Sequence, residues 1–209
     1  MTPAAADAQS TPMADHISDA VVLRDDGGTT KAPGAAPLPR RASAAYMRGH
    51  PARWLALGFG SGLSPWAPGT VGTLWAWVSF LVFDRWLGAA GWALVIGVSL
   101  LAGVWACART AREMASADPG AIVWDEVVAF WIVLWLVMPA GWVTQLAAFA
   151  WFRFFDRAKP GRVGHVDRRF KSARGWRQGV GIIADDLVAA FCTLFVLALT
   201  RFVWNMVST

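Results

Sequence analysis

The sequence predicts an all-α protein: a multihelical, membrane-embedded bundle preceded by a disordered N-terminal tail. Three observations carry that expectation. Hydrophobic residues make up 56% of the 209-residue chain and charged ones only 16%, against roughly 45–50% and about 25% in soluble domains. Five apolar runs follow one another at 71–83, 86–108, 122–138, 142–155 and 182–200. Fourteen Trp stand against a single Tyr, and an apolar ring with one polar N–H is favoured where a membrane meets water.

Residues 1–48 are assigned to the tail and 49–209 to the membrane domain. The Ala, Pro, Asp, Ser and Thr of the tail offer too little apolar area to offset the entropy of ordering. No apolar stretch there is long enough for a secretory signal, and Met13 and Met47 are alternative starts.

The membrane domain opens on WLALGFGSGLSPWAPGTVGTLWAW, residues 54–77. Its glycines alternate with small polar residues and prolines, including Ser64, Gly69 and Thr70. Such a loop, running into an apolar helix from about Val71, can aim backbone N–H groups at a phosphate. The spacing is neither a Walker A nor a dinucleotide fingerprint. A plain loop leading into a membrane helix is the competing interpretation.

Of the five runs, only 86–108 comfortably meets the roughly 20 residues that a full span needs. The shorter 71–83 and 142–155 are expected to tilt, re-enter or lie partly within protein. Asp84-Arg85 and Pro139-Ala140-Gly141 provide tight turns. If the arginines before the first run are cytoplasmic, five crossings bring every strongly basic connection to the same side. The same count gathers the Gly-rich loop, Asp125-Glu126, Asp156 and Asp185-Asp186 at that face.

The net charge is +5, but its distribution is the informative part. The first fifty residues carry five basic and five acidic side chains, whereas 152–177 carry nine basic and two acidic. A basic segment between apolar spans reads as a loop facing anionic lipid. The apolar flanks and the lack of a recognition motif argue against nucleic acid as a partner. Cys107 and Cys192 lie inside apolar runs without metal-ligand spacing, as small buried hydrophobes do. His16 and His50 are expected to be solvated, and His165 lies in the basic loop. No Ser/His/Asp order is visible.

The acidic residues point further. Asp125, Glu126, Asp156, Asp185 and Asp186 sit at or within the ends of apolar runs, where a carboxylate costs roughly 2.5–3.5 kcal/mol if unpaired. Adjacent carboxylates also repel one another. Ion pairs with loop arginines, a hard divalent cation held by carboxylate oxygens beside a phosphate, and a proton or ion relay through the bundle all answer the problem. Asp156 and Lys159 share a helical face, so one can hold metal while the other meets phosphate.

Four blocks carry a specific resemblance: GFGSGLSPWAPGTVGTL (58–74), IVWDEVV (122–128), FFDRAKP with HVDRRF (154–170), and GVGIIADDLVAA (179–190). With these, the chain from about 54 to 200 resembles the phosphatidylglycerophosphatase A family of bacterial membrane lipid phosphatases. The Pro-Trp-Ala-Pro-Gly-Thr core is the most specific of them. The resemblance implies a multihelical fold and Mg²⁺-dependent removal of the terminal phosphate of phosphatidylglycerophosphate, giving phosphatidylglycerol. It implies metal or catalytic roles for Asp125, Glu126, Asp156, Asp185 and Asp186, with Lys159 near phosphate. Ala129 stands where the family usually has Gly, and Ala189-Ala190 where it usually has Ala-Gly, which affects helix packing. Arg162-Val163 replace the usual Pro-Ile, which alters the loop.

The resulting expectation is a cytoplasm-facing, Mg²⁺-dependent phosphomonoesterase of the bacterial inner membrane, acting on a lipid substrate. Lys159, Arg162 and Arg168 are expected to stabilise charge on phosphate oxygens, with Ser64, Gly69 and Thr70 contributing from the Gly-rich loop. The absence of a DxDx[TV] arrangement favours direct attack by water over a phosphorylated aspartate. The alternative is a small transporter or structural membrane protein using the acids as a proton or ion relay.

Overall fold

A computed structural model describes residues 42–114, 119–158 and 175–208. These residues form α-helices and one 3-10 turn, with no strand among the described residues. Ser43 accepts the amide of Tyr46 at 3.1 Å and so caps α1, Ala44–Arg48. His50 Nδ1 accepts the amide of Ala52 at 3.0 Å, and Pro51 fills the first position of α2, Pro51–Ala56. Helical structure therefore begins ahead of the boundary at residue 49 drawn from composition. His50 is a helix cap rather than a freely solvated side chain, and its ring lies 5.9 Å from that of Trp105.

The Gly-rich stretch coils into a 3-10 turn, Gly58–Leu63, whose backbone turns left-handed at Phe59 and Gly60. Ala67, also left-handed, presents Pro68 as the first residue of α3, Pro68–Phe83. This helix starts at Pro68 rather than Val71 because a proline ring is preorganised for the first helical position.

The remaining helices are α4, Ala89–Glu113; α5, Trp124–Val137; α6, Trp142–Ala158; and α7, Trp176–Val207. Each of the five apolar runs is thus a helix. Two of them, α4 with 25 residues and α7 with 32, are long and apolar enough to cross a membrane. At about 1.5 Å per residue, α3, α5 and α6 reach roughly 21–26 Å, short of a hydrocarbon core of about 30 Å. The short α5 is the centre of the bundle. It is buried continuously from Trp124 to Phe130 and packs against α3, α4, α6 and α7.

The outer faces are apolar. Leu94, Val98 and Leu101 on α4, and Phe191, Phe195 and Phe202 on α7, are exposed. Such a surface is costly in water and suited to lipid. The tryptophans divide. Trp86, Trp142 and Trp204 are exposed at one end of the bundle, and Trp54, Trp66 and Trp176 towards the other. By contrast, Trp77, Trp92, Trp124 and Trp131 are core residues. Their indole N–H groups donate to Gln145 Oε1 (2.8 Å), Asp84 Oδ1 (2.9 Å), the Ser99 carbonyl (3.1 Å) and the Ala76 carbonyl (3.0 Å). The Trp content therefore serves the core as well as the interface, since a bonded indole buries a large ring without an orphaned donor.

α4 and α7 run antiparallel and touch closely. Gly179 of α7 lies against the Val104 carbonyl, and a Cβ there would also stand 2.9 Å from the Cβ of Ala108. Nearer the bundle centre, Gly103 lies against Trp124 and Ile183. This contact fixes the height of α7 against α5 and so sets where its acidic pair falls.

Candidate active site

The helices alternate in direction, so several bring an end to one region. α3 and α5 bring their first turns, α6 its last, and α7 the part of its length that faces the middle of α4. Asp125 and Glu126 occupy the first turn of α5, where the helix dipole favours negative charge. Asp186 comes from α7, about 15 Å along the helix from Trp176 at about 1.5 Å per residue.

One carboxylate oxygen from each of Asp125, Glu126 and Asp186 can be chosen so that all lie within 4.8 Å of one another. The three residues are 8%, 9% and 4% exposed, so water does little to separate their charges. Glu126 Oε2 is buried and accepts no hydrogen bond from the described residues. Three carboxylates this close, in an apolar bundle, repel strongly unless a cation joins them or a proton is shared among them. The cluster offers only hard oxygen donors, the set that suits Mg²⁺, Mn²⁺ or Ca²⁺ rather than a thiophilic metal. A divalent cation fits these residues.

Asp156 reaches the same region from the last turn of α6, through Arg153. Arg153 Nη1 lies 2.9 Å from Asp156 Oδ2 and 3.8 Å from Glu126 Oε1. It also donates to Thr73 Oγ1 at 3.2 Å, and the Thr73 hydroxyl donates to the Gly69 carbonyl at 2.8 Å. Gly69 is where the first turn of α3 meets the acids. A Cβ there would overlap Glu126 Oε1 and stand 3.1–3.2 Å from the Arg153 guanidinium. One turn further out, Arg157 Nη2 lies 3.5 Å from Thr70 Oγ1.

The residues singled out from the sequence thus divide. Asp125, Glu126 and Asp186 form the cluster; Asp156, Gly69 and Thr70 border it. Asp185 is half-buried and stands outside the three-residue cluster, because consecutive helical positions point about 100° apart. The Ser64 hydroxyl donates to the Trp66 carbonyl at 2.8 Å and so serves its own turn. Lys159, Arg162, Arg168 and His165 lie outside the described residues. Arg153 and Thr73 were not singled out. The available signal was an arginine one turn before Asp156 in an otherwise apolar helix.

A second charged group is structural. Glu113, at the end of α4, meets Arg53 Nε at 2.7 Å, Arg109 Nε at 3.0 Å and the Tyr46 hydroxyl at 3.1 Å. It ties the two N-terminal helices to the bundle. Of the acids for which ion pairs with arginines are one expected solution, Asp156 makes one, with Arg153. Cys107 and Cys192 are free thiols, one buried and one half-buried.

Comparison with known proteins agrees with the motif blocks. The family model described as Phosphatidylglycerophosphatase A matches residues 54–201. Phosphatidylglycerophosphatase A of Escherichia coli (strain K12) is 36% identical over 172 residues, covering 81% of this chain and 96% of that protein. The protein of the same name from Haemophilus influenzae is 37% identical over 147 residues, 70% of this chain and 86% of its own. A putative phosphatidylinositol-3-phosphatase of Bacteroides thetaiotaomicron is 38% identical over 155 residues, 70% of this chain and 91% of its own. No solved structure matches.

Proposed function

The chain belongs to the phosphatidylglycerophosphatase A family, and on that premise we propose that it is a Mg²⁺-dependent lipid phosphomonoesterase. It hydrolyses phosphatidylglycerophosphate to phosphatidylglycerol and phosphate, at the cytoplasmic face of a bacterial inner membrane. The observation that carries the reading is the buried convergence of Asp125, Glu126 and Asp186.

Asp125, Glu126 and Asp186 would hold the ion. When bound, Mg²⁺ supplies Lewis acidity for hydrolysis of a phosphate ester. The protein's own residues set the rest. The apolar walls around α5 exclude bulk water, which strengthens each charge interaction inside. Gly69 keeps the first turn of α3 open to the carboxylates, and Thr73 and Arg153 lock that turn against α6. Asp156 is held by Arg153, and Asp185 flanks the cluster from α7. Lys159, Arg162 and Arg168 receive the charge of the phosphate oxygens, and Thr70 borders the cluster beside Arg157. Water attacks phosphorus directly, without an aspartyl-phosphate, because the chain lacks the nucleophilic aspartate motif of phosphatases that form one.

The basic segment between Asp156 and Asp186 supports a cytoplasmic, anionic-lipid-facing site. A second substrate, phosphatidylinositol 3-phosphate, is raised by the name of the Bacteroides relative. Phosphate release by the purified protein from each lipid, with and without Mg²⁺, decides between them. Release from phosphatidylglycerophosphate only with Mg²⁺ is expected. Higher kcat/KM on the inositol lipid transfers the assignment to that substrate. No release from any lipid phosphate favours an ion-relay or structural membrane protein.

A further inference from the structure

We propose that Arg153 is the second cation of this site: its guanidinium stands where a second divalent ion would otherwise be needed, so the carboxylate cluster binds one ion per chain. The inference rests on the metal-dependent reading above and specifies the metal count.

Among the described residues four carboxylates meet at this end of the bundle, with Asp185 flanking them, and the four are not equivalent. Asp125, Glu126 and Asp186 converge on one another, whereas Asp156 is held 2.9 Å from Arg153 Nη1. Glu126 belongs to both groups. Its Oε1 lies 3.8 Å from the same guanidinium nitrogen, and its Oε2 is buried without a hydrogen bond from the described residues. In two-metal phosphatases the ions sit about 3.5–4 Å apart. In this chain Arg153 Nη1 stands within 4 Å of both Glu126 Oε1 and Asp156 Oδ2, the carboxylates that would have to hold a second ion.

The arginine is built in rather than resting on a surface. Its side chain is only 13% exposed. Thr73 Oγ1 accepts a hydrogen bond from Nη1 at 3.2 Å, and the missing side chain of Gly69 leaves room for both terminal nitrogens. A guanidinium keeps its charge at any working pH and presents donors in a fixed plane that matches phosphate oxygens. Its Nε is buried without a hydrogen bond among the described residues. One divalent ion and one guanidinium together bring three positive charges to the four carboxylates. Arg153 is thus a positioning residue that holds Asp156 and one edge of Glu126, and it limits how many ions can enter.

The test is the Mn²⁺ stoichiometry of the full chain in detergent, by equilibrium dialysis and electron paramagnetic resonance. Wild type and Arg153→Lys are expected to bind one Mn²⁺ per chain with an isolated-ion spectrum. Arg153→Met is expected to bind two, with the spectrum of a spin-coupled pair. Two ions in wild type overturn the proposal whether or not the Met variant folds. A folded Arg153→Met that stays at one ion, with an unchanged melting temperature, overturns it as well. No Mn²⁺ bound to wild type overturns the metal-dependent reading itself, and this inference with it.

Discussion

Gly69 and Glu126 touch across the junction of α3 and α5 so closely that a single added carbon at residue 69 would overlap the carboxylate. The Gly-rich loop therefore contributes a point of close approach, not only backbone donors. Gly69→Ala is expected to displace Glu126 or the first turn of α3. A shift of about 1 Å at such a site costs on the order of 10²-fold in rate. The check is kcat for phosphate release alongside the melting temperature. A folded variant with wild-type kcat would show that Glu126 has freedom the packing denies it.

Gly179 makes a comparable contact for stability instead of chemistry. A Cβ there would overlap the Val104 carbonyl. Gly179→Ala should push α4 and α7 apart at a cost of roughly 1–3 kcal/mol, the usual range for overpacking. It should lower the melting temperature of the detergent-solubilised protein. The neighbouring change Val180→Ala, at a half-buried position, serves as the control and should have a smaller effect.

How much of this was legible beforehand differs by feature. All five apolar runs became helices because each sustains its hydrophobicity over several turns; turn residues close α3 and α5, whereas the last helix runs on past both ends of its apolar run. Asp125, Glu126 and Asp156 could be chosen as charges in apolar surroundings. The choice between Asp185 and Asp186 could not be made, since it depends on how α7 is rotated and the small-residue contact with α4 sets that rotation. The central position of α5 was equally hidden. A run that is apolar on every side looks the same whether lipid or protein surrounds it. Arg153 was counted with the basic loop because charge counting ignores direction; only the fold turns it inward, onto Asp156.

Trp131 shows the cost of a core indole. Its N–H donates to the Ala76 carbonyl at 3.0 Å and to Ser79 Oγ at 3.1 Å. Trp131→Phe would leave these buried acceptors without that donor. A loss of roughly 1–3 kcal/mol is expected, seen as a lower melting temperature with little change in KM for lipid. A change confined to KM would place Trp131 in the substrate path instead.

The bundle's two ends should be separable by labelling. Arg85 follows α3 at the end away from the acids, and Arg112 lies near the end of α4 on their side; both are exposed. In intact cells, a membrane-impermeant thiol reagent should modify Arg85→Cys and spare Arg112→Cys until the membrane is opened. Modification of both from outside would contradict a cytoplasm-facing site.

The measurement closest to the central claim is a Mg²⁺ titration of phosphate release from phosphatidylglycerophosphate by wild type and Asp186→Asn. Losing one carboxylate of the buried cluster should remove several kcal/mol of transition-state stabilisation, about a 100-fold or larger drop in rate. Wild type should be inactive in a chelator and recover fully with Mg²⁺, while Asp186→Asn should stay low even at saturating Mg²⁺. Undiminished release by the variant, or release by wild type without any divalent ion, would contradict the account.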